Sequence, residues 1–232
     1  MFPTPNSPNR IHFSPLATER DLRLAIVEAG RLCYAQGLMP ANNGNISVRM
    51  GDDRVLITPS TLCKGRLEPE DLLVIDLNGQ VLKADPRRKR RISSETPMHL
   101  EAYRQCPDIR AVIHAHPAHA TALTVAEIPF PEDVLPELLE GLGPVAVTGF
   151  ATPSTSENAA AIRELIGAHD AVLIRNHGAI TVGRDLEECL IHLERVEHVA
   201  KVVYMAHTLG HVSRLPAEIV EKLHALRQQM KA

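Results

Sequence analysis

The sequence predicts an α/β fold in which helices cover a largely antiparallel sheet. Three observations favour it. Short apolar runs with strand character are mixed along the chain with longer stretches of helical periodicity. Several of the predicted strands are separated by a turn alone, which is typical of hairpins. No repeat or linker divides residues 18–232, so we expect one domain there, after a flexible proline-rich arm at residues 1–17.

The predicted strands are short, apolar and bounded by turn residues such as Gly51 and Gly79. They cover residues 46–49, 54–58, 72–76, 80–82, 108–116, 171–174 and 179–182. The first predicted helix begins after Thr18, a favourable N-cap residue, and ends at Gly37. Further helices are predicted over residues 95–103, 118–125, 156–166 and 186–209, and from Pro216 toward the C-terminus.

Composition excludes several classes of function. The chain has 232 residues, 44% of them apolar, which is enough for a sizeable core. A net charge of −3 with 3% aromatic residues favours neither nucleic acid nor an anionic membrane as a partner. No apolar run approaches the roughly 20 residues that span a bilayer, and the N-terminus lacks a signal-peptide pattern. Four scattered cysteines indicate reduced thiols, so we expect a cytoplasmic protein.

The most informative motif is His114-Ala115-His116 at the end of an apolar strand. Alternate side chains of a strand share a face, so the two histidines project together, with Cα atoms about 6.5 Å apart. Two imidazoles at that spacing can converge on one metal ion. Pro117 follows directly and fits the start of a helix, which places the pair at a strand-to-helix corner.

Two other segments suggest partners for this pair. His177 also follows an apolar strand and precedes Gly178, so it is a candidate third ligand, although an isolated histidine there is more often structural. Ser93 and Ser94 precede a predicted helix that Ser94 can cap and whose N-terminal N–H groups favour phosphate. Glu95 would then lie between phosphate and metal and act as a general base. The alternative is that Glu95 only interacts favourably with the helix dipole. The nearby His119 has a packing or supporting role.

Five motifs together resemble the class II aldolase/adducin family, with the family's fuculose 1-phosphate aldolases closest in pattern. They span residues 18–210 and occur in the family's order: Gly44-Asn45-Ile-Ser, Ile57-Thr-Pro-Ser60-Thr61, Ser93-Ser94-Glu95, His114-Ala-His116 and Asn176-His177-Gly178. The resemblance implies a three-layer α/β/α sandwich and a fourfold-symmetric homotetramer with active sites between subunits. It also implies no membrane or nucleic-acid partner, only a small phosphorylated sugar.

The resemblance also implies roles for individual residues. His114, His116 and His177 match the family's ligands for Zn²⁺, in whose place Mn²⁺ or Co²⁺ is possible. Glu95 matches the residue that both ligates the metal and acts as the base. The substrate phosphate would be held by the remaining matched positions: Gly44, Asn45, Ser60, Thr61, Ser93 and Ser94. The expected reaction is reversible cleavage of a ketose 1-phosphate to dihydroxyacetone phosphate and an aldehyde.

One departure from the family concerns the aldehyde end of the substrate. In the fuculose-phosphate enzymes, a tyrosine after the helix that follows the histidine pair acts as the acid toward the aldehyde oxygen. The corresponding stretch of this chain, residues 128–137, contains no tyrosine. Glu132, Asp133, Glu137 or water could replace it. We therefore expect fuculose, ribulose or, preferably, a 5-deoxy or 5-methylthio pentulose 1-phosphate as substrate. The basic run at residues 86–91 is either a steering surface or a solvated loop.

Four alternatives share the fold. A ribulose-phosphate 4-epimerase would have Asp in place of Glu95. A methylthioribulose-phosphate dehydratase would have a different segment in place of Ser93-Ser94-Glu95, and a sugar-acid phosphate decarboxylase an altered first serine pair. A non-catalytic adducin-like interaction module would have no need of the three histidines, all of which are present.

Overall fold

A computed structural model describes residues 17–152 and 154–231. Its centre is an eight-stranded sheet with the order β4-β3-β2-β1-β5-β8-β7-β6. All neighbouring strands are antiparallel except β6 and β7, which are parallel. The strands are β1 Asn45–Met50, β2 Arg54–Ile57, β3 Leu73–Asp76, β4 Val81–Lys83, β5 Ala111–Ala115, β6 Ala146–Val147, β7 Ala171–Ile174 and β8 Gly178–Gly183.

Helices cover both faces of this sheet, which confirms the predicted three-layer α/β/α sandwich. They are α1 Glu19–Ala35, α2 Thr96–Gln105, α3 Ala118–Val125, α4 Pro136–Gly141, α5 Ser156–Ile166, α6 Leu186–Thr208 and α7 Ala217–Lys231. Thr18 caps α1 as predicted, in a capping box with Asp21 that satisfies otherwise unbonded N–H groups of the first turn.

Each face of the sheet has its own hydrophobic core. On one face, buried residues of α1, α3, α4 and α6 pack against strand residues such as Ile46 and Ile113. On the other face, α2 and α5 pack against alternate strand residues such as Val112 and Val172. This alternation follows from the two-residue period of a strand. Because His114 is two residues from Val112, its side chain lies on the α2 and α5 side.

The main differences between the structure and the predictions concern three elements. α4 and β6 were not predicted, because a six-residue helix and a two-residue strand have too little periodicity to be detected. The strand predicted over residues 108–116 is confined to Ala111–Ala115.

Among the residues described, no helix is long and apolar enough to cross a membrane.

The predicted arm at residues 1–17 lies outside the described residues, except for Ala17. That residues 18–232 form one domain stays a prediction.

Candidate metal and substrate site

Two adjacent antiparallel strands bring the three candidate histidines together. His116 directly follows β5, His177 directly precedes β8, and the β5–β8 pairing sets Ala115 opposite Ala179. The three imidazole ring centroids lie 4.9 to 5.0 Å apart. One nitrogen from each ring falls within 4.8 Å of the others, and the Nε2 atoms of His114 and His116 are 3.2 Å apart.

A glycine after His177 is required by this close approach of the strands. A Cβ atom at Gly178 would lie 2.3 Å from the carbonyl oxygen of Ala115, far inside van der Waals contact. Asn176 has a φ of 58°, and its N–H donates to the side chain of Thr124. The conformation of the turn that positions His177 is therefore fixed by the hydrogen bond of Asn176 on one side and by the close contact at Gly178 on the other.

Hydrogen bonding and burial prepare the histidines for a cation. Nδ1 of His114 donates to the carbonyl oxygen of Ala179 at 2.9 Å, so in the neutral ring the lone pair is on Nε2, which faces the cluster. Burial is the main factor that lowers the pKa of His114, and the neighbouring imidazoles add to it. Burial, with His177 and Lys64, lowers the pKa of His116 to about 4, and burial also lowers the pKa of His177.

The donor set fits a divalent metal ion. Three neutral imidazoles that converge on one point are typical of a catalytic zinc site with an open coordination position. Nδ1 of His177 is buried without a hydrogen-bond partner among the described residues, so that ring is held mainly by packing.

Glu95 lies at the edge of the histidine cluster. Its Oε2 atom is 3.8 Å from Nε2 of His114 and 4.0 Å from Nε2 of His177. The helix begins one residue later than predicted, at Thr96, and the Glu95 side chain makes no capping hydrogen bond to it. The predicted cap residue Ser94 donates instead to the hydroxyl of Ser154 at 2.8 Å. The Glu95 carboxylate is therefore directed toward the site and not toward its own helix.

One cavity of about 330 Å³ brings together every residue that the sequence suggested for metal or phosphate binding. The metal candidates are His114, His116, His177 and Glu95, and the phosphate candidates are Gly44, Asn45, Ser60, Thr61, Ser93 and Ser94.

Asn45 occupies the position opposite His114 in the β1–β5 pairing, which joins the two groups of candidates. Ser93 donates to the side-chain oxygen of Asn45 at 3.4 Å and accepts from the N–H of Glu95 at 3.2 Å. Gly44 has a φ of 76°, and a Cβ there would lie 2.8 Å from the His114 carbonyl oxygen, so glycine is required at this turn.

Sequence reasoning missed Lys64, which also lines the cavity. Its side chain is 1% exposed, and its ammonium donates to the carbonyl oxygens of Asn42 and Leu62 at 2.9 and 2.7 Å. In the described part of the chain it forms no ion pair, and burial lowers its pKa to about 8. A buried cation without an acidic partner suits an anionic ligand. No sequence signal distinguishes this lysine from a surface lysine.

Other candidates lie away from the cavity in this chain. Asp133 pairs with Arg214 at 2.6 Å, and neither Glu132 nor Glu137 lines the cavity. In the basic run, Arg90 pairs with the buried Asp71 at 2.8 Å, so part of this run has a structural role.

His119 is bonded to Glu197 of α6 at 2.7 Å and does not line the cavity. The same carboxylate accepts from two N–H groups at the start of α3.

Comparison with known proteins agrees with this architecture. The sequence model of the Class II Aldolase and Adducin N-terminal domain matches residues 24–204, most of the chain. The chain belongs to the class II aldolase/adducin family. A solved structure of L-fuculose 1-phosphate aldolase superposes with a TM-score of 0.81 at 28% identity, covering 97% of this chain and 100% of that one.

Relatives of this class II aldolase family member carry three different activities in their names. A methylthioribulose-1-phosphate dehydratase of Methylococcus capsulatus is 35% identical over 196 residues, covering 78% of this chain and 93% of that protein. An L-fuculose phosphate aldolase of Methanococcus maripaludis is 32% identical, with 77% and 94% covered. A 3-oxo-tetronate 4-phosphate decarboxylase of Haemophilus influenzae is 31% identical, with 77% and 85% covered. Family membership therefore leaves the reaction open.

Proposed function

We propose that this protein is a zinc-dependent aldolase that reversibly cleaves a small ketose 1-phosphate to dihydroxyacetone phosphate and an aldehyde. One observation carries the proposal. A carboxylate, Glu95, stands beside three converging neutral imidazoles in a cavity whose other wall is made of hydroxyl groups, amide groups and one buried ammonium. That arrangement combines a metal site, a base and an anion site within one substrate length.

The three histidines would hold the ion, with Zn²⁺ as the first candidate and Mn²⁺ or Co²⁺ as substitutes. A divalent ion held by His114, His116 and His177 supplies a Lewis acid that stabilises negative charge on substrate oxygens. The protein contributes orientation, because the Ala179 carbonyl fixes the His114 tautomer and Gly178 permits the approach of β8.

Glu95 would act as the proton carrier. In the condensation direction its carboxylate takes a proton from the hydroxyl-bearing carbon of dihydroxyacetone phosphate, and in the cleavage direction it returns a proton to the same carbon. Its position supports this role, since Oε2 is within 4.0 Å of two imidazoles and the Glu95 side chain makes no capping hydrogen bond to α2.

The other end of the cavity would bind the phosphate. Serine hydroxyls, the Asn45 amide and the Lys64 ammonium supply hydrogen bonds and positive charge to a dianion. This remote binding energy fixes the reacting carbons relative to Glu95. Among the described residues that line the cavity, Lys64 has the one side chain that is cationic at pH 7, because the pKa of His116 is lowered to about 4 and the pKa values of His114 and His177 are lowered as well.

At the aldehyde end of the substrate, water would take the hydroxyl proton in cleavage and return it in condensation, in place of the family's tyrosine. No tyrosine is found among the described residues that line the cavity, and Tyr103 is buried in the core with its hydroxyl bonded to Ser47 at 2.9 Å. We therefore keep a 5-deoxy or 5-methylthio pentulose 1-phosphate as the preferred substrate, because it has no hydroxyl at carbon 5 to be bound. A homotetramer with active sites between subunits completes the proposal.

Dehydration of methylthioribulose 1-phosphate is the second candidate, since the named dehydratase is 35% identical to this chain. Aldol condensation and this dehydration both begin with removal of a proton from the carbon beside a carbonyl group, so the same Glu95 would serve either. Decarboxylation of a sugar-acid phosphate is the third candidate, supported by the relative of that name. A 4-epimerase would have Asp where this chain has Glu95.

The products distinguish these reactions. Zinc-loaded protein is given fuculose, ribulose, 5-deoxypentulose and 5-methylthioribulose 1-phosphates, and dihydroxyacetone phosphate is measured beside the dehydrated ketone. The condensation direction is tested with dihydroxyacetone phosphate and a panel of aldehydes. We expect dihydroxyacetone phosphate from at least one substrate, and loss of its formation in Glu95→Gln. Dehydrated product alone would contradict the aldolase and support the dehydratase.

A further inference from the structure

The helix α3 begins directly after the candidate metal ligand His116, and its own N-cap residue cannot cap it. That residue is Pro117, whose side chain makes no capping hydrogen bond. The N–H groups in the first turn of a helix have no acceptor within the helix, so they need one from elsewhere. Here the acceptor belongs to α6, 77 to 78 residues later in the sequence.

The carboxylate of Glu197 in α6 supplies this acceptor. Both of its oxygens accept from the N–H of His119 at 3.1 Å, and Oε2 also accepts from the N–H of Ala120 at 3.0 Å. Oε1 accepts in addition from Nδ1 of His119 at 2.7 Å. The negative charge is favourable at this end of the helix dipole. Glu197 therefore fixes the main chain three and four residues after His116.

The His116 imidazole has no comparable support of its own. The His114 ring is oriented by the Ala179 carbonyl, but the His116 ring has no hydrogen-bond partner outside the histidine cluster among the described residues. Metal-binding histidines usually donate their second ring nitrogen to a neighbouring group, which orients the ring. The direction of the His116 ring therefore depends on its main chain, whose N–H donates to the carbonyl oxygen of Leu38 at 2.9 Å.

We propose that Glu197 is a positioning residue that sets the direction of the His116 imidazole toward the metal ion through the start of α3. The proposal rests on the proposed role of His116 as a metal ligand. Pro117 connects the two, with a φ of −63° that its ring holds fixed, so a shift of α3 would also move His116. A carboxylate suits this role, because it accepts from two adjacent N–H groups and an imidazole at once.

The test uses Glu197→Ala, with Glu194→Ala as the matched control. Glu194 lies one turn earlier on α6 and is also half-buried, but its carboxylate accepts from the side chain of Gln36 at 2.6 Å and not from α3. Both variants remove a carboxylate that joins α6 to another part of the fold, and only one releases the start of α3.

Three quantities are measured on each variant. They are the Co²⁺ affinity of metal-free protein, the visible absorption spectrum of the bound Co²⁺, and the free energy of unfolding of metal-free protein in urea. A merely structural role would lower the free energy of unfolding and leave the Co²⁺ affinity and the spectrum of the folded protein unchanged.

We expect Glu197→Ala to bind Co²⁺ about tenfold more weakly and with an altered absorption spectrum, because a group that orients a ligand is lost. Glu197→Gln keeps one acceptor oxygen, and His119→Ala keeps its main-chain N–H, so each should weaken binding by less. Glu194→Ala should leave the affinity and the spectrum unchanged. If Glu197→Ala does not fold, Glu197→Gln decides the question by the same measurements.

Unchanged Co²⁺ affinity and spectrum in Glu197→Ala, or an equal loss of affinity in Glu194→Ala, would overturn the proposal. An equal loss in His119→Ala would also overturn it, because the imidazole and not the main chain would then be responsible. If the wild type binds Co²⁺ but forms dihydroxyacetone phosphate from no substrate, the aldolase assignment fails, while the affinities still decide the role of Glu197. A wild type that binds no Co²⁺ would overturn both.

Discussion

Replacing Lys64 with methionine removes the buried cation from the cavity while keeping most of its side-chain volume. Burial lowers the pKa of Lys64 from 10.5 to about 8. The difference corresponds to about 3 kcal/mol of unfavourable free energy for the charged form in the folded state. An anionic ligand would offset much of this penalty, so the charge is costly without substrate and useful with it.

The penalty makes stability depend on pH in a definite direction. The pKa of Lys64 is higher in the unfolded chain than in the folded protein. Between pH 8 and 10.5 the unfolded chain therefore binds more protons than the folded protein. Stability therefore rises with pH across this window, by up to about 1.4 kcal/mol per pH unit from this group, and the full penalty is present below pH 8. Lys64→Met should lack this rise.

The assay is urea unfolding of metal-free protein at several pH values, with and without inorganic phosphate. We expect the wild type to gain about 3 kcal/mol relative to Lys64→Met between pH 8 and 10.5, and phosphate at pH 7 to stabilise the wild type more than the variant. Lys201→Met, at an exposed position of α6, serves as the control and should behave as the wild type. Identical pH profiles and phosphate effects in wild type and Lys64→Met would refute the reasoning.

Three further predictions concern the site. His116→Ala should lose bound metal and activity together, because two imidazoles make a poorer site; a metal-replete, active variant in metal analysis would contradict its assignment as a ligand. Ser94→Ala should raise the KM for a phosphorylated substrate about tenfold and leave that for the dephosphorylated sugar nearly unchanged, whereas equal effects in steady-state kinetics would exclude a phosphate contact. A chelator should abolish activity, with recovery on adding Zn²⁺, Mn²⁺ or Co²⁺, and should lower the melting temperature only modestly, because the histidines are already placed by the sheet; full activity in the chelator would exclude a metal enzyme.

The convergence of the histidines was predictable because it depends on strand periodicity and strand ends. His114 and His116 are two residues apart on one strand, and His177 precedes a strand that pairs with it. Turn glycines and strand-length apolar runs also located most of the sheet. These features are local in sequence, so they can be recognised without knowing the packing.

The supports of the site were not predictable, because they depend on contacts between distant segments. Lys64 resembles any surface lysine until the loops around Asn42 and Leu62 enclose it. Asn158 looks like an ordinary polar residue of a helix start, and its bond to Glu95 follows only from the packing of α5 beside α2. The prediction that Ser94 caps α2 failed for the same reason, since Ser154 provides a competing partner.

The pairing of β5 with its two neighbours would make binding of the proposed metal ion depend on the alignment of the strands. Asn45 lies opposite His114 on one side, and Ile180 lies opposite it on the other. A slip of one position would turn the imidazole to the face that carries Ile113 and would separate it from its two companions. An ion that binds the native alignment alone adds its binding free energy to that alignment, so a metal supply during refolding would select against misaligned chains.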